Sequence, residues 1–121
     1  MSDQQPICDV TSHGNKHWRL NGNHHRVDGP AIEWEDGSKF WWLNGKQHRV
    51  DGPAIEYANG TKYWYLLGNL HRPDGPAVEN ATGNKEWYLN DKFCKPIEVF
   101  KAATHEQRIH LLCFYASEFM P

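Results

Sequence analysis

Residues 37–59 read GSKFWWLNGKQHRVDGPAIEYAN, and residues 60–82 follow without a gap as GTKYWYLLGNLHRPDGPAVENAT. The same sentence opens at Gly14 and again at Gly83, so four copies run on a stride of 23 residues. Their shared skeleton is G-x-K-x-W-x-L-N-G-x-x-H-R-x-D-G-P-A-x-E, and the fourth copy degrades toward its end. A unit this short cannot bury a hydrophobic face alone, so neighbouring units must stack into one continuous structure. The chain therefore divides into an N-terminal segment (1–13), repeats at 14–36, 37–59, 60–82 and a degenerate 83–98, and a helical segment at 99–121. Together these make one compact domain of 121 residues.

Turn chemistry decides the element type. Asn21-Gly22, Asn44-Gly45, Asp36-Gly37 and Asn59-Gly60 all suit two-residue hairpin turns, whose central positions need positive φ. Asp28-Gly29-Pro30, repeated at Asp51 and Asp74, adds a kink that excludes helix. The runs between them, such as 39–43 and 53–57, have ordinary strand length. The expected fold is mostly β: an antiparallel meander of roughly seven or eight strands, closed by a C-terminal α-helical cap.

With Ala58 opposite Thr61, Ile55 faces Trp64 and Pro53 faces Leu66 on one side, while Glu56 faces Tyr63 and Ala54 faces Tyr65 on the other. The first side is apolar in every copy (Trp18, Trp41, Trp64 and Trp87, with Ile32, Ile55 and Val78) and is the expected core face. The second side varies from copy to copy. Pro96 suits a first helical position, and Thr104 to Gln107 is a capping box. Ile109, Leu112, Cys113 and Ala116 then share one helical face, expected to cover the sheet. Leu111, Phe114 and Tyr115 widen that arc. The helix therefore either sits deep or offers a second side to a partner or a second copy.

The motif W-x-x-N-G-x-x-H-R-x-D-G on its stride resembles a divergent MORN repeat over residues 14–98. Where the common pattern has Gly after His, this chain has Arg26, Arg49 and Arg72, followed by an added Asp-Gly-Pro-Ala block. The H-R-x-D-G-P-A variant is similar to proteins of phages, giant viruses and bacteria, some labelled antitoxins. The resemblance implies a rolled antiparallel sheet used for protein contacts. The family's lipid binding transfers poorly, because no basic cluster is present.

A formal net charge of -2 argues against a nucleic-acid footprint. No apolar run approaches the ~18 residues of a spanning helix, so no membrane role is expected, and residues 1–6 lack a secretory signal. Three cysteines, Cys8, Cys94 and Cys113, share no metal spacing, which fits reduced thiols in a cytoplasmic protein.

His25, His48 and His71 recur at one position, with Cys94 in the fourth copy. Equivalent residues two strands apart lie about 9.6 Å from one another. Two imidazoles on one zinc need nitrogens within roughly 3.5 Å, so no metal is expected. Instead each His should pair with the Trp of its own hairpin: His25 with Trp18, His48 with Trp41, His71 with Trp64. The H-R-x-D set, including Asp28, Asp51 and Asp74, is read as fold maintenance. No hydrolase, phosphate-loop or zincin motif appears, so neither an enzyme nor a cofactor is expected.

The copies differ on the second face, where Phe40, Trp42, Tyr63, Tyr65 and Tyr88 make an aromatic row beside Ala31, Ala54 and Ala77. Arg49 and Arg72 are placed on the same side. Aromatic and Arg anchors dominate protein interfaces. The expected function is non-catalytic binding that modulates or inhibits a cytosolic partner protein. A nucleotide-sequestering sponge, with rings around the base and Arg on a phosphate, is the alternative. An enzyme with a His/Cys site is the lesser alternative. Self-association would run through the C-terminal helix.

Overall fold

Each repeat is built on an inner hairpin closed by a two-residue turn, which the Asn-Gly pairs of the first two copies announce. Asn21 and Gly22 take φ of 52° and 81°, and Asn44 and Gly45 take 50° and 78°, the type I′ geometry. Trp42 lies opposite Gln47, so His48 falls opposite Trp41 and its N–H donates to the Trp41 carbonyl at 3.1 Å. His25 and His71 repeat this pairing on Trp18 and Trp64 at 3.0 and 3.1 Å.

The computed structural model describes residues 4–119. Among these, fourteen short strands precede two helices, α1 (Pro96–Ala102) and α2 (His105–Tyr115). The main sheet is an antiparallel meander in chain order: Ile7–Val10, Lys16–Leu20, Ile32–Glu33, Lys39–Phe40, Ile55–Glu56, Lys62–Tyr63, Val78–Glu79, Lys85–Leu89 and Lys92–Cys94. The strands are short because the second arm of each hairpin leaves the ladder. The Trp41 carbonyl accepts from His48, whereas the Trp41 N–H donates to Ala54 at 2.7 Å. Residues 49–53 bulge out between those two bonds.

The Asp-Gly and Asn-Gly loops between repeats correct the expected register. Tyr57 N–H donates to the Thr61 carbonyl and Gly60 N–H to the Tyr57 carbonyl, both at 2.9 Å. The loop is thus three residues, Ala58 to Gly60, with Gly60 at φ 95°. Asn59 accepts the Thr61 N–H on Oδ1 at 3.0 Å, holding this tighter form. Ile55 consequently lies opposite Tyr63 and Glu56 opposite Lys62.

One extra loop residue moves every side chain to the other face. Ile32, Phe40, Ile55, Tyr63 and Val78 now share one side, and Glu33, Lys39, Glu56, Lys62 and Glu79 share the other. Ile32, Ile55 and Val78 are buried under the aromatic side, not beside the tryptophans. Of the four repeat tryptophans only Trp87, 3 % exposed, belongs to a closed core, and Trp18, Trp41 and Trp64 are half-buried. Ala31, Ala54 and Ala77 are fully buried and make no open slots beside the aromatic row.

The helical cap is also re-aimed. At the start of α1 the Lys95 N–H donates to Glu98 Oε1 at 3.1 Å, and the Thr104 capping box opens α2, with Gln107 N–H on the threonine hydroxyl at 3.2 Å. Helix therefore begins at Pro96, inside the span given to the fourth repeat. Leu111 rather than Ile109 faces inward, joining Val99, Trp87 and Cys94 in a closed cluster. Ile109 and Leu112 are each 51 % exposed, and Cys113 and Ala116 are exposed as well. The cap covers the last repeat rather than the whole sheet. No helix among the described residues is long and apolar enough to cross a membrane.

Candidate functional site

The bulge at 49–53 carries the H-R-x-D-G-P segment, and there Arg49 folds back over the sheet. Its guanidinium carbon sits 3.8 Å from the Trp41 ring centroid. Nε donates to Asp51 at 3.1 Å, and Nη1 donates to the Pro53 carbonyl at 3.1 Å. Glu56 lies 3.7 Å from Nη1. Arg26 over Trp18 and Arg72 over Trp64 repeat the stack at 3.9 and 3.8 Å. The glycine of each block closes the other side: a Cβ on Gly52 would meet the Arg49 guanidinium at 2.8 Å, and one on Gly75 would meet that of Arg72 at 2.6 Å. Arg72 is 8 % exposed. Cation–π stacking and charge-assisted bonds hold these guanidinium groups in place, so they offer no free fork for a phosphate. They lie on the tryptophan side, opposite the aromatic row with which Arg49 and Arg72 were grouped.

The histidines join one repeat to the next. Nδ1 of His25 accepts the N–H of Asn44 at 3.0 Å, His48 that of Leu67 at 2.9 Å, and His71 that of Asn90 at 3.0 Å. Each imidazole thereby caps the turn one repeat further on. Burial lowers the His71 pKa, which favours the neutral ring that this acceptor role requires. Among the described residues no three His, Cys, Asp or Glu side chains come together as a metal cluster. Cys94 is buried, and its thiol donates to the Lys92 carbonyl at 3.3 Å.

The aromatic row is a packed layer. Phe40 and Tyr57 meet at 5.6 Å, Tyr57 and Tyr63 at 6.0 Å, Tyr63 and Tyr65 at 6.4 Å. Tyr88 is set apart against Phe93 at 5.5 Å, its hydroxyl donating to Glu86 at 3.0 Å. Trp42 instead joins a cluster the sequence reading left aside: His24 at 5.7 Å from it, His17 at 5.5 Å from His24, and Trp34 at 6.1 Å from His17. His17 Nδ1 and His24 Nε2 are 3.3 Å apart. Burial, then Arg19, then His17 lowers the His24 pKa. The signal available was that positions 17, 24 and 34 all break the repeat.

Between successive bulges the tryptophan side opens into grooves. One, of about 750 Å³, has Trp41, Leu43 and His48 as its floor and the bulges of the first two repeats as walls. The next, of about 580 Å³, has Trp64, Leu66 and His71 as its floor, with Gln107 and His110 of α2 on its far wall. Val50, 82 % exposed, is the crest between them and lines both. The third equivalent position, over Trp87 and Leu89, is filled by α1 and α2.

Set against known proteins, the chain matches no family model, no curated protein and no solved structure.

Proposed function

We propose that the protein is a non-catalytic binding module that modulates or inhibits a partner protein by holding it in the inter-repeat grooves. The observation that supports this reading is the recurrence of an apolar floor, Trp41 with Leu43 and Trp64 with Leu66, left open twice side by side. Contiguous apolar surface rimmed by polar groups marks contact sites. An array that repeats its floor suits an extended partner surface better than a single reacting bond. The side chains that could do chemistry are committed elsewhere: imidazole Nδ1 atoms to backbone N–H groups, guanidinium groups to tryptophan rings and carboxylates. A role as inhibitor of a cytosolic protein rests on the resemblance of the repeat alone.

The test is crosslinked capture from host lysate with three baits. The parent and the Trp42→Ala/Tyr65→Ala pair, used below the pair's lowered melting temperature, should retain one protein at fixed stoichiometry, and Val50→Lys should lose it. Retention by Val50→Lys together with loss by the aromatic pair would move the contact to the other face.

A further inference from the structure

The third groove shows what this kind of floor accepts. Over Trp87 sit Val99 of α1 and Leu111 of α2, both buried, with Tyr115 edge-on to the indole at 5.6 Å. The occupant is helical and apolar. Trp41 and Trp64 line the corresponding grooves with no helix over them, one ring face of each lying under Arg49 or Arg72.

The spacing of the repeats fits more helices of the same kind. Equivalent floors are two strands apart, about 9.6 Å. Packed helices lie roughly 8–10 Å apart. A helix along the Trp64 groove therefore lands at packing distance from α2, continuous with an interface the chain already makes. The flank of α2 is prepared for it: Gln107 and His110 line that groove. Phe114, one turn beyond His110 and 71 % exposed, packs against its imidazole at 4.7 Å with the rings tilted by 41°.

Charge narrows the occupant. Of the charged side chains lining the Trp64 groove, Arg49 and Arg72 are 23 % and 10 % exposed, whereas Asp51 and Asp74 are 87 % and 40 % exposed. The arginines are stacked inward, whereas Asp28 and Asp51 stand 86 % and 87 % exposed on the rims. The rim is acidic, so basic flanks complement it.

We propose that the Trp64 groove, with the Trp41 groove beside it, receives an amphipathic α-helix of a partner protein. Its apolar stripe lies on the Trp-Leu floors, and lysine or arginine lines its flanks. The helix seats next to α2 and extends the row that α1 and α2 begin. This rests on the binding-module reading and names the kind of surface the partner brings.

The probe is a synthetic amphipathic helix of about twenty residues, with leucines at i, i+3, i+4 and i+7 and lysines beside them. One control permutes the same residues to abolish the stripe, and another replaces lysine by glutamate. Titration into the full chain, read by tryptophan fluorescence and by amide chemical shifts, should saturate for the lysine helix. Each control should bind at least roughly tenfold more weakly. Val50→Lys, at a crest 82 % exposed, should leave melting unaltered and weaken the lysine helix by a similar factor, and Phe114→Glu should strengthen rather than abolish it.

Equal binding of the permuted peptide, indifference to Val50→Lys, or no saturation below about 1 mM overturns the inference. So does sedimentation of the free chain as a dimer that Val50→Lys dissolves, because the occupant is then a second copy. Loss of peptide binding with Val50-dependent capture intact removes the helix and leaves the binding module standing. Loss of both removes both.

Discussion

Leu67 occupies a position written for asparagine. It sits at φ 49° in the inner turn of the third repeat, where the first two copies carry Asn21 and Asn44. The left-handed region costs an L side chain with a bulky Cβ about 1–2 kcal/mol, and asparagine tolerates it. Leu67→Asn should therefore raise stability by about 1 kcal/mol, seen as a higher melting temperature. Gly75 carries the opposite constraint: its missing Cβ makes room for the Arg72 guanidinium, itself pinned by Trp64, Asp74 and the Pro76 carbonyl. Gly75→Ala should cost about 1–3 kcal/mol, as overpacking does. An unchanged melt would mean that the stack yields freely.

His71 gives the fold a pH dependence. Its folded pKa lies below the unfolded value, so the unfolded chain takes up the proton first. The stabilisation is complete above the unfolded pKa of about 6.5 and is lost as pH falls through the folded pKa. Melting temperature should fall between neutral and mildly acidic pH. His71→Asn, which keeps an acceptor near Nδ1 but does not titrate, should flatten that slope.

At the scale of elements, the inner hairpins were legible and the outer loops were not. Asn-Gly with a two-residue register follows from backbone geometry alone, and it placed each histidine opposite its tryptophan. Asp36-Gly37 and Asn59-Gly60 look the same in sequence. There, however, a side-chain oxygen bonds the N–H two residues on, at 2.8 and 3.0 Å, and stabilises a three-residue loop. That single residue transferred Ile32, Ile55 and Val78 from the tryptophan side to the aromatic side.

The aromatic layer therefore roofs buried aliphatics, and Trp42→Ala with Tyr65→Ala should lower the melting temperature clearly rather than leave it unaltered. For α2 the capping box was readable because it is local. Its inward face depended on Trp87 and Val99, which sequence periodicity does not place. Leu111→Ala should cost about 2–5 kcal/mol, whereas Ile109→Ala, at an exposed position, should stay within about 0.5 kcal/mol. Denaturant melts of the two variants, run side by side, decide which face is the inner one.

Over the whole molecule the bonding is between neighbours. Ser38 Oγ accepts the Ala58 N–H and Thr61 Oγ1 the Ala81 N–H, at 2.9 and 3.1 Å. The inner turns are tied the same way, Gly45 N–H to the His24 carbonyl and Gly68 N–H to the Gln47 carbonyl. Stability in such an array is a sum of unit and nearest-neighbour terms, and among the described residues the only closed apolar cluster lies at the C-terminal end. Amide exchange should be slowest in 85–94 and α2 and fastest in Ile7–Val10, an edge strand whose Ile7 and Val10 are exposed.

The histidine link also has a direction. His25, His48 and His71 each reach forward to the turn of the following copy, never back, so each of these units is written to expect a successor. Where no successor follows, Cys94 stands in that place and its thiol turns to its own strand. The array thus has a grammar with a full stop. A gene that duplicated residues 37–59 in place would lengthen it without breaking a single link, since the new unit would both receive and give a cap. A copy appended after Cys94 would open on an uncapped turn and collide with the helices. Growth from the middle is thus a route this architecture leaves open.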